Sequence, residues 1–180
     1  MKENVKNYEL GNLGGIGLYV GTYKKYNEGN LYGMWIDLEW FTDASEFFEI
    51  CRELHSDEED PEFMFQDFQC FPEKLYSESM GEEEIQRILD FAQLSETEQE
   101  KYEAYCNLYG IPEDSDDVEN RYVGYAENFE EFCKESAEDF MDDHNIPDCV
   151  RRFFNYEKYE NEMDIEYCHT EVNGTTYVFS

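Results

Sequence analysis

The chain has 180 residues, 45 acidic against 13 Lys+Arg side chains, and a formal net charge of −32. That balance excludes a direct nucleic-acid binder, which needs a cationic face to displace counterions from phosphates, and it disfavours anionic membrane surfaces. Yet 41% of the residues are hydrophobic and 17% aromatic, too many for a disordered acidic tail, so the expectation is a folded protein with an aromatic-rich core and an anionic shell.

Residues 16–23, rich in β-formers and bounded by glycines, predict a strand. Residues 24–30, with Asn27, Gly29 and Asn30, predict a turn. Residues 31–38 return as a second strand anchored by Trp35 and Leu38. Thr42 or Asp43 caps a helix over 44–55, where Phe47, Ile50, Cys51 and Leu54 recur at helical spacing. Residues 63–68 alternate weakly as a third strand. A helix over 82–94 gathers Ile85, Ile88, Leu89 and Ala92 on one face. Ser95 and Glu98 form a capping box, starting a helix that reaches Tyr109 and ends at Gly110 and Pro112. Residues 111–120 read as an acidic linker. A strand over 121–125 precedes a helix over 128–143 with Phe129, Phe132, Cys133, Ala137, Phe140 and Met141 as its apolar stripe. A short helix near Asp148 and a further one over 154–163 follow. Asn173-Gly174 then joins 166–171 to 175–179 as a hairpin. The fold class is α+β. Three small units are expected: an N-terminal antiparallel sheet plus helix over 1–70, a helical middle over 71–112, and a C-terminal α+β unit with a terminal hairpin over 113–180.

The opening residues carry no apolar run of the secretory kind, and no stretch approaches the ~20 apolar residues that span a bilayer. A cytoplasmic location is therefore expected. The six cysteines form no C-x-x-C pair and read as reduced, mostly buried small hydrophobes. The histidines are His55, His144 and His169, and no zinc-protease, nucleophile-elbow, phosphate-loop or EF-hand pattern accompanies them. Cys168 and His169 are adjacent and point to opposite faces of a strand, which argues against a dyad. No catalytic residue, metal or cofactor is expected.

The acids are spread over many elements. Between Asp37 and Glu119 lie 27 acids and four bases. Candidate partner-facing acids on the first helix and the turn behind it are Glu46, Glu49, Glu53, Asp57, Glu58, Glu59 and Asp60. The central helices add Glu82, Glu83, Glu84, Asp90, Glu96, Glu100 and Glu103, and the linker adds Asp114, Asp116 and Asp117. On the helix over 128–143, Glu130, Glu131, Glu135, Glu138, Asp139, Asp142 and Asp143 lie opposite the apolar stripe, relieved by Lys134 alone. Acids four apart on a helix repel by ~0.2–0.5 kcal/mol per pair, a penalty that invites a functional explanation. Duplex DNA carries one charge per ~1.7 Å of axis, so 32 charges correspond to roughly 54 Å of duplex. Acidic elements arrayed along one body would approach that density and could occupy a DNA-binding groove. Halophilic adaptation fits poorly, because Glu outnumbers Asp by 31 to 14.

Particular residues carry a resemblance. Leu18-Tyr19-Val20-Gly21-Thr22-Tyr23, Lys25-Tyr26-Asn27-Glu28-Gly29 and Gly33-x-Trp35 resemble the opening of the ArdA-type antirestriction proteins. Ile146-Pro147, Phe154-Asn155-Tyr156-Glu157-Lys158-Tyr159, Asn173-Gly174 and Tyr177-Val178-Phe179 resemble that family's closing segment. Asp60-Pro61-Glu62-Phe63 and Asp67-Phe68 extend the likeness into the middle. An Ala-Arg-Asp-Leu type segment common in the family is replaced here by Glu160-Asn161-Glu162-Met163, without the Arg. The resemblance implies an elongated homodimer of DNA mimics in a bacterial host cell, carried by mobile elements, with the C-terminal unit at the dimer contact. Phe153, Tyr156, Tyr177 and Phe179 are the candidate contact residues. It implies as target the DNA groove of type I restriction–modification enzymes, formed by their modification and specificity subunits, and no enzymatic activity. A DNA mimic of another target, such as a nucleoid protein or another defence system, stays open at this point. So does a small acidic metal-dependent enzyme.

Overall fold

The computed structural model describes residues 5–11, 15–114 and 116–180. Among them are eight α-helices and two three-stranded antiparallel sheets, a mixed α+β architecture as expected. The chain divides into two compact units, Met1–Gln99 and Glu100–Ser180.

The first unit is built on β1 (Gly17–Thr22), the central strand of a sheet ordered β2-β1-β3. Thr22 ends β1 by capping α1 (Tyr23–Asn27): its hydroxyl accepts from the Lys25 backbone N–H at 3.3 Å. The segment expected as a plain turn therefore begins as a helical turn, because a Thr with extended backbone satisfies an otherwise orphaned N–H. Gly29, at φ 76°, then reverses the chain. β2 (Met34–Asp37) is shorter than expected. Leu31 is exposed ahead of it, and Leu38 is fully buried in a single 3-10 turn, Leu38–Trp40. β3 (Phe63–Gln69) pairs with β1 through a register shift at Tyr19/Val20.

Asp43 caps α2 (Ala44–Leu54), accepting from Ser45 N at 2.7 Å. The helix sets Phe47 against Phe41 and Phe65, at ring separations of 5.6 and 6.1 Å. α3 (Glu82–Ala92) buries Ile85, Ile88, Leu89 and Ala92, the face its periodicity predicts. It is clasped to the start of α2 by Gln86, which accepts from Ala44 N at 2.9 Å and donates to the Thr42 carbonyl at 3.0 Å. At Ser95 the Glu98 side chain reaches back as in a capping box, accepting from both the Ser95 N–H and its hydroxyl.

In the second unit β6 (Thr175–Phe179) is central, in the order β4-β6-β5. Alternation along β6 sends Tyr177 and Phe179 to one face and Val178 to the other. On the first face they pack with Ala104 and Tyr105 of α4 (Glu96–Tyr109) and Val118 of α5 (Asp116–Arg121). On the second, Val178 packs with Ala126 of β4 (Tyr122–Ala126), Phe132 and Cys133 of α6 (Phe129–Asp143), and Met163 of α8 (Tyr156–Glu166). A short α7 (Asp148–Arg151) precedes α8. β5 (Cys168–Val172) reaches β6 through Asn173 and Gly174, at φ 51° and 83°. Both central residues of this two-residue turn are left-handed, as a type I′ hairpin requires.

Three expectations need correction. Residues 111–120 are not a linker throughout: α5 forms there, because Val118 finds an apolar site and Asp117 accepts from the Glu113 and Asp114 N–H groups at 2.9 and 3.0 Å. Ser115 lies outside the described residues. Phe140 is 51% exposed and leaves the α6 stripe, its ring 4.2 Å from that of His144. Of the six cysteines only Cys51, Cys106 and Cys133 are buried; Cys70, Cys149 and Cys168 are exposed.

Candidate partner-binding surface

The candidate acids sit where local folding rules place polar residues, and their surroundings divide them into two groups. Eighteen of the twenty-four are exposed; Glu53, Glu58, Glu100, Glu103, Asp117 and Glu131 are half-buried. On α2 the exposed pair is Glu46 and Glu49, turned away from the buried Phe47 and Ile50. α3 opens with Glu82, Glu83 and Glu84 in its first turn. Carboxylates there complement the positive end of the helix dipole, and Glu84 also accepts from Gly81 N at 3.0 Å. Asp90 accepts from Gln86 at 2.9 Å. Glu96 begins α4, and Asp114 and Asp116 border α5.

α6 is the densest case. Glu130, Glu135, Glu138, Asp139, Asp142 and Asp143 are exposed along its 15 residues, about 22 Å of rise. Its last turn holds acids and no base, the unfavourable end of the dipole for a negative charge. Local relief comes from Lys134, 3.2 Å from Glu131, and from Arg151, 2.5 Å from Asp142. For the whole chain, 45 acids against 13 bases leave at least 45 − 13 = 32 carboxylates without a basic partner of their own.

The second group works inside the fold. Glu100 accepts from the Tyr177 hydroxyl at 2.7 Å and from Asn173 at 3.0 Å. Burial and Glu100 together hold the Tyr177 hydroxyl far above the usual phenol range. Burial, with Glu100 nearby, raises the Glu103 carboxyl. The Glu58 side chain is only 6% exposed and accepts from Lys25 Nζ at 2.6 Å and from the Thr22 hydroxyl at 2.8 Å.

Lys25 stands in one of the segments that carry the family resemblance, but nothing in the sequence pattern gives it a role. It is 6% exposed, and its Nζ also reaches Asp57 at 2.9 Å and His55 Nδ1 at 3.2 Å. One ligand-type atom from each of His55, Asp57 and Glu58 lies within 4.8 Å of the others, and the Lys25 ammonium already stands against all three. These contacts join residues 30 to 33 apart, a separation that leaves no periodic trace. Burial disfavours the Lys25 charge, yet its bonds to Glu58 and Asp57 outweigh that and raise its pKa. Burial also works against the Glu58 charge, and the bonds from Lys25 and Thr22 reverse the sign, lowering its pKa. Asp57 is lowered chiefly by its bond from Lys25.

Of the candidate dimer-contact residues, Phe153 is 78% and Tyr156 40% exposed, whereas Tyr177 and Phe179 are 2% and 0% exposed in the core of their own unit. His169 stacks on Phe129 at 3.9 Å and meets Asp164 at 3.1 Å, while the neighbouring Cys168 is exposed. Among the described residues no helix is long and apolar enough to cross a membrane.

Fold and surface together define a class: small α+β proteins whose distinguishing chemistry is an array of surface carboxylates borne on several helices. The family model described as antirestriction protein (ArdA) matches residues 18–178, most of the chain, and the chain belongs to that family. Antirestriction, the inhibition of restriction enzymes, is the function that goes with this membership. The comparison with curated proteins found no match.

Proposed function

We propose that the chain inhibits restriction as a DNA mimic, occupying the DNA-binding groove of a type I restriction–modification enzyme at its modification and specificity subunits. The observation that carries this reading is the exposed carboxylate face of α6, repeated in sparser form on α2 and α3. Each acid lies near one cationic partner group, and the contacts add without any one dominating. The protein makes and breaks no covalent bond in this role and acts in the cytoplasm of its bacterial host. Two copies associate through the C-terminal unit, with the exposed Phe153 and Tyr156 at the contact and the buried Tyr177 and Phe179 supporting it from the core.

A variant combining Glu135→Gln, Glu138→Gln and Asp139→Asn tests the reading. These three share one exposed face of α6 and are not the acids that bridge directly to Lys134 and Arg151, which are Glu131 and Asp142. Exposed charge pairs contribute ~0.2–1 kcal/mol each and 1.4 kcal/mol is tenfold, so displacement of DNA from a type I methyltransferase core should weaken about tenfold. Each single substitution should change it less than about fivefold. Loss of all inhibition on one single substitution would contradict distributed mimicry.

A further inference from the structure

We infer that Lys25 is a positioning residue for the acidic loop 56–61, fixing the carboxylates of Asp57, Glu59 and Asp60 in the arrangement presented to the partner. The inference rests on the mimicry reading above and adds a residue of opposite charge to its machinery.

Four acids stand in a row at 57–60, directly behind α2. Like charges on adjacent residues repel, and in a free loop they would splay apart and sample many arrangements, an entropy lost again on binding. Here the loop is fastened from below. The three N–H bonds of the Lys25 ammonium match three acceptors: Glu58 at 2.6 Å, Asp57 at 2.9 Å and His55 Nδ1 at 3.2 Å. His55, fully buried, has its other ring nitrogen 3.2 Å from the Val20 carbonyl. Nε2 therefore carries the proton and Nδ1 is the acceptor for Lys25. Thr22 donates to Glu58, and Tyr23 N donates to the Glu62 carbonyl at 3.0 Å. The end of β1 and the first turn of α1 thus hold the loop at both ends. Glu58 is the acid turned inward as the tether; the Asp57 side chain is 65% exposed while still bonded to Lys25, and Glu59 and Asp60 are exposed.

Charge and position make opposite predictions. Removing a cation from beneath an acidic surface makes that surface more negative, which by charge alone tightens binding to a cationic groove. Removing the tether releases the loop and weakens it. The test compares wild type, Lys25→Met and Thr22→Val. Thr22→Val removes the bond to Glu58 and, with it, the cap of α1, with no change of charge; it carries the test if Lys25→Met does not fold, provided exchange in α1 is measured beside that in 56–61. Hydrogen exchange of residues 56–61 and DNA displacement from a type I methyltransferase core at two salt concentrations are measured where each protein is folded. We expect exchange in 56–61 to rise at least tenfold in Lys25→Met while α2 and β1 stay protected. Displacement should weaken five- to tenfold, with a shallower salt dependence despite the added negative charge, because fewer acids engage. Thr22→Val should weaken displacement two- to fivefold. A residue that merely stabilised the fold would leave the affinity and salt slope of the folded protein unchanged. Unchanged exchange in 56–61, or Lys25→Met binding as tightly as wild type or tighter, overturns the inference. Failure of wild type itself to displace DNA counts instead against the mimicry reading, and the exchange result then decides the tether without a partner.

Discussion

Gly33 cannot carry a side chain. A β-carbon there would stand 2.6 Å from the Val20 carbonyl oxygen and 2.6 Å from Tyr19 Cε1. One neighbour is backbone in the central strand and cannot give way cheaply. Gly33→Ala should therefore destabilise the first unit by about 1–3 kcal/mol, read as a lower denaturant midpoint. The Gly33-x-Trp35 motif was legible as a motif, but its reason was not, because the crowding comes from the facing strand. His55 is a second residue whose role only the folded contacts reveal. Burial lowers its pKa, the Val20 carbonyl partly opposes that, and the Lys25 charge lowers it further. The folded protein thus resists protonation while the unfolded chain accepts a proton near the ordinary value of about 6.5. Stability of the first unit should fall as pH drops from about 7 toward the folded pKa of His55. Asp57 and Glu58, both lowered, contribute stability above the ordinary carboxylate range and lose it only at still lower pH. In His55→Gln, thermal melts between pH 7.5 and 5.5 should therefore show a smaller loss than in wild type. Equal losses would remove His55 as the cause.

At the scale of elements, the sequence is clearest where a local rule and tertiary packing agree. α2, α3 and α6 begin close to their predicted positions, because Asp43, the Glu82–Glu84 turn and Asn128 meet N-terminal rules and the apolar faces behind them find partners. The terminal hairpin was legible from Asn173-Gly174 alone. Elements were missed where a short polar stretch is held by one long-range contact. α5 depends on burying Val118, and α1 depends on Thr22; neither signal survives averaging over a periodic window. The α6 face gives the stability side of the triple variant proposed above. Glu135, Glu138 and Asp139 take part in four acid pairs spaced i,i+4, with Glu131, Asp142 and Asp143 as the other members. Neutralising the three should raise stability by about 1 kcal/mol while binding weakens, at ~0.2–0.5 kcal/mol of repulsion per pair. A variant that both unfolds more easily and binds less would mean that this face is structural.

For the whole molecule, composition pointed to the acidic surface, and the segments near the two ends of the chain pointed to the family. A net charge of −32 with 17% aromatic residues pointed to a folded acidic surface, and the family match over residues 18–178 agrees with the antirestriction reading. Which acids serve the interior was not legible. Glu58, Glu100 and Asp117 are bound by groups that fold beside them, and in the sequence they look like any other surface acid. The same holds for Tyr177 and Phe179, whose aromatic character fits core and interface equally until β6 is seen to be covered on both faces. The most direct measurement is a competition titration, with a type I methyltransferase core held on a labelled duplex and this protein added at low and high salt. Mimicry predicts displacement at about one dimer per enzyme, markedly weaker at high salt, because charge pairs in the groove are screened. Duplex that stays bound at micromolar protein and low salt would contradict it.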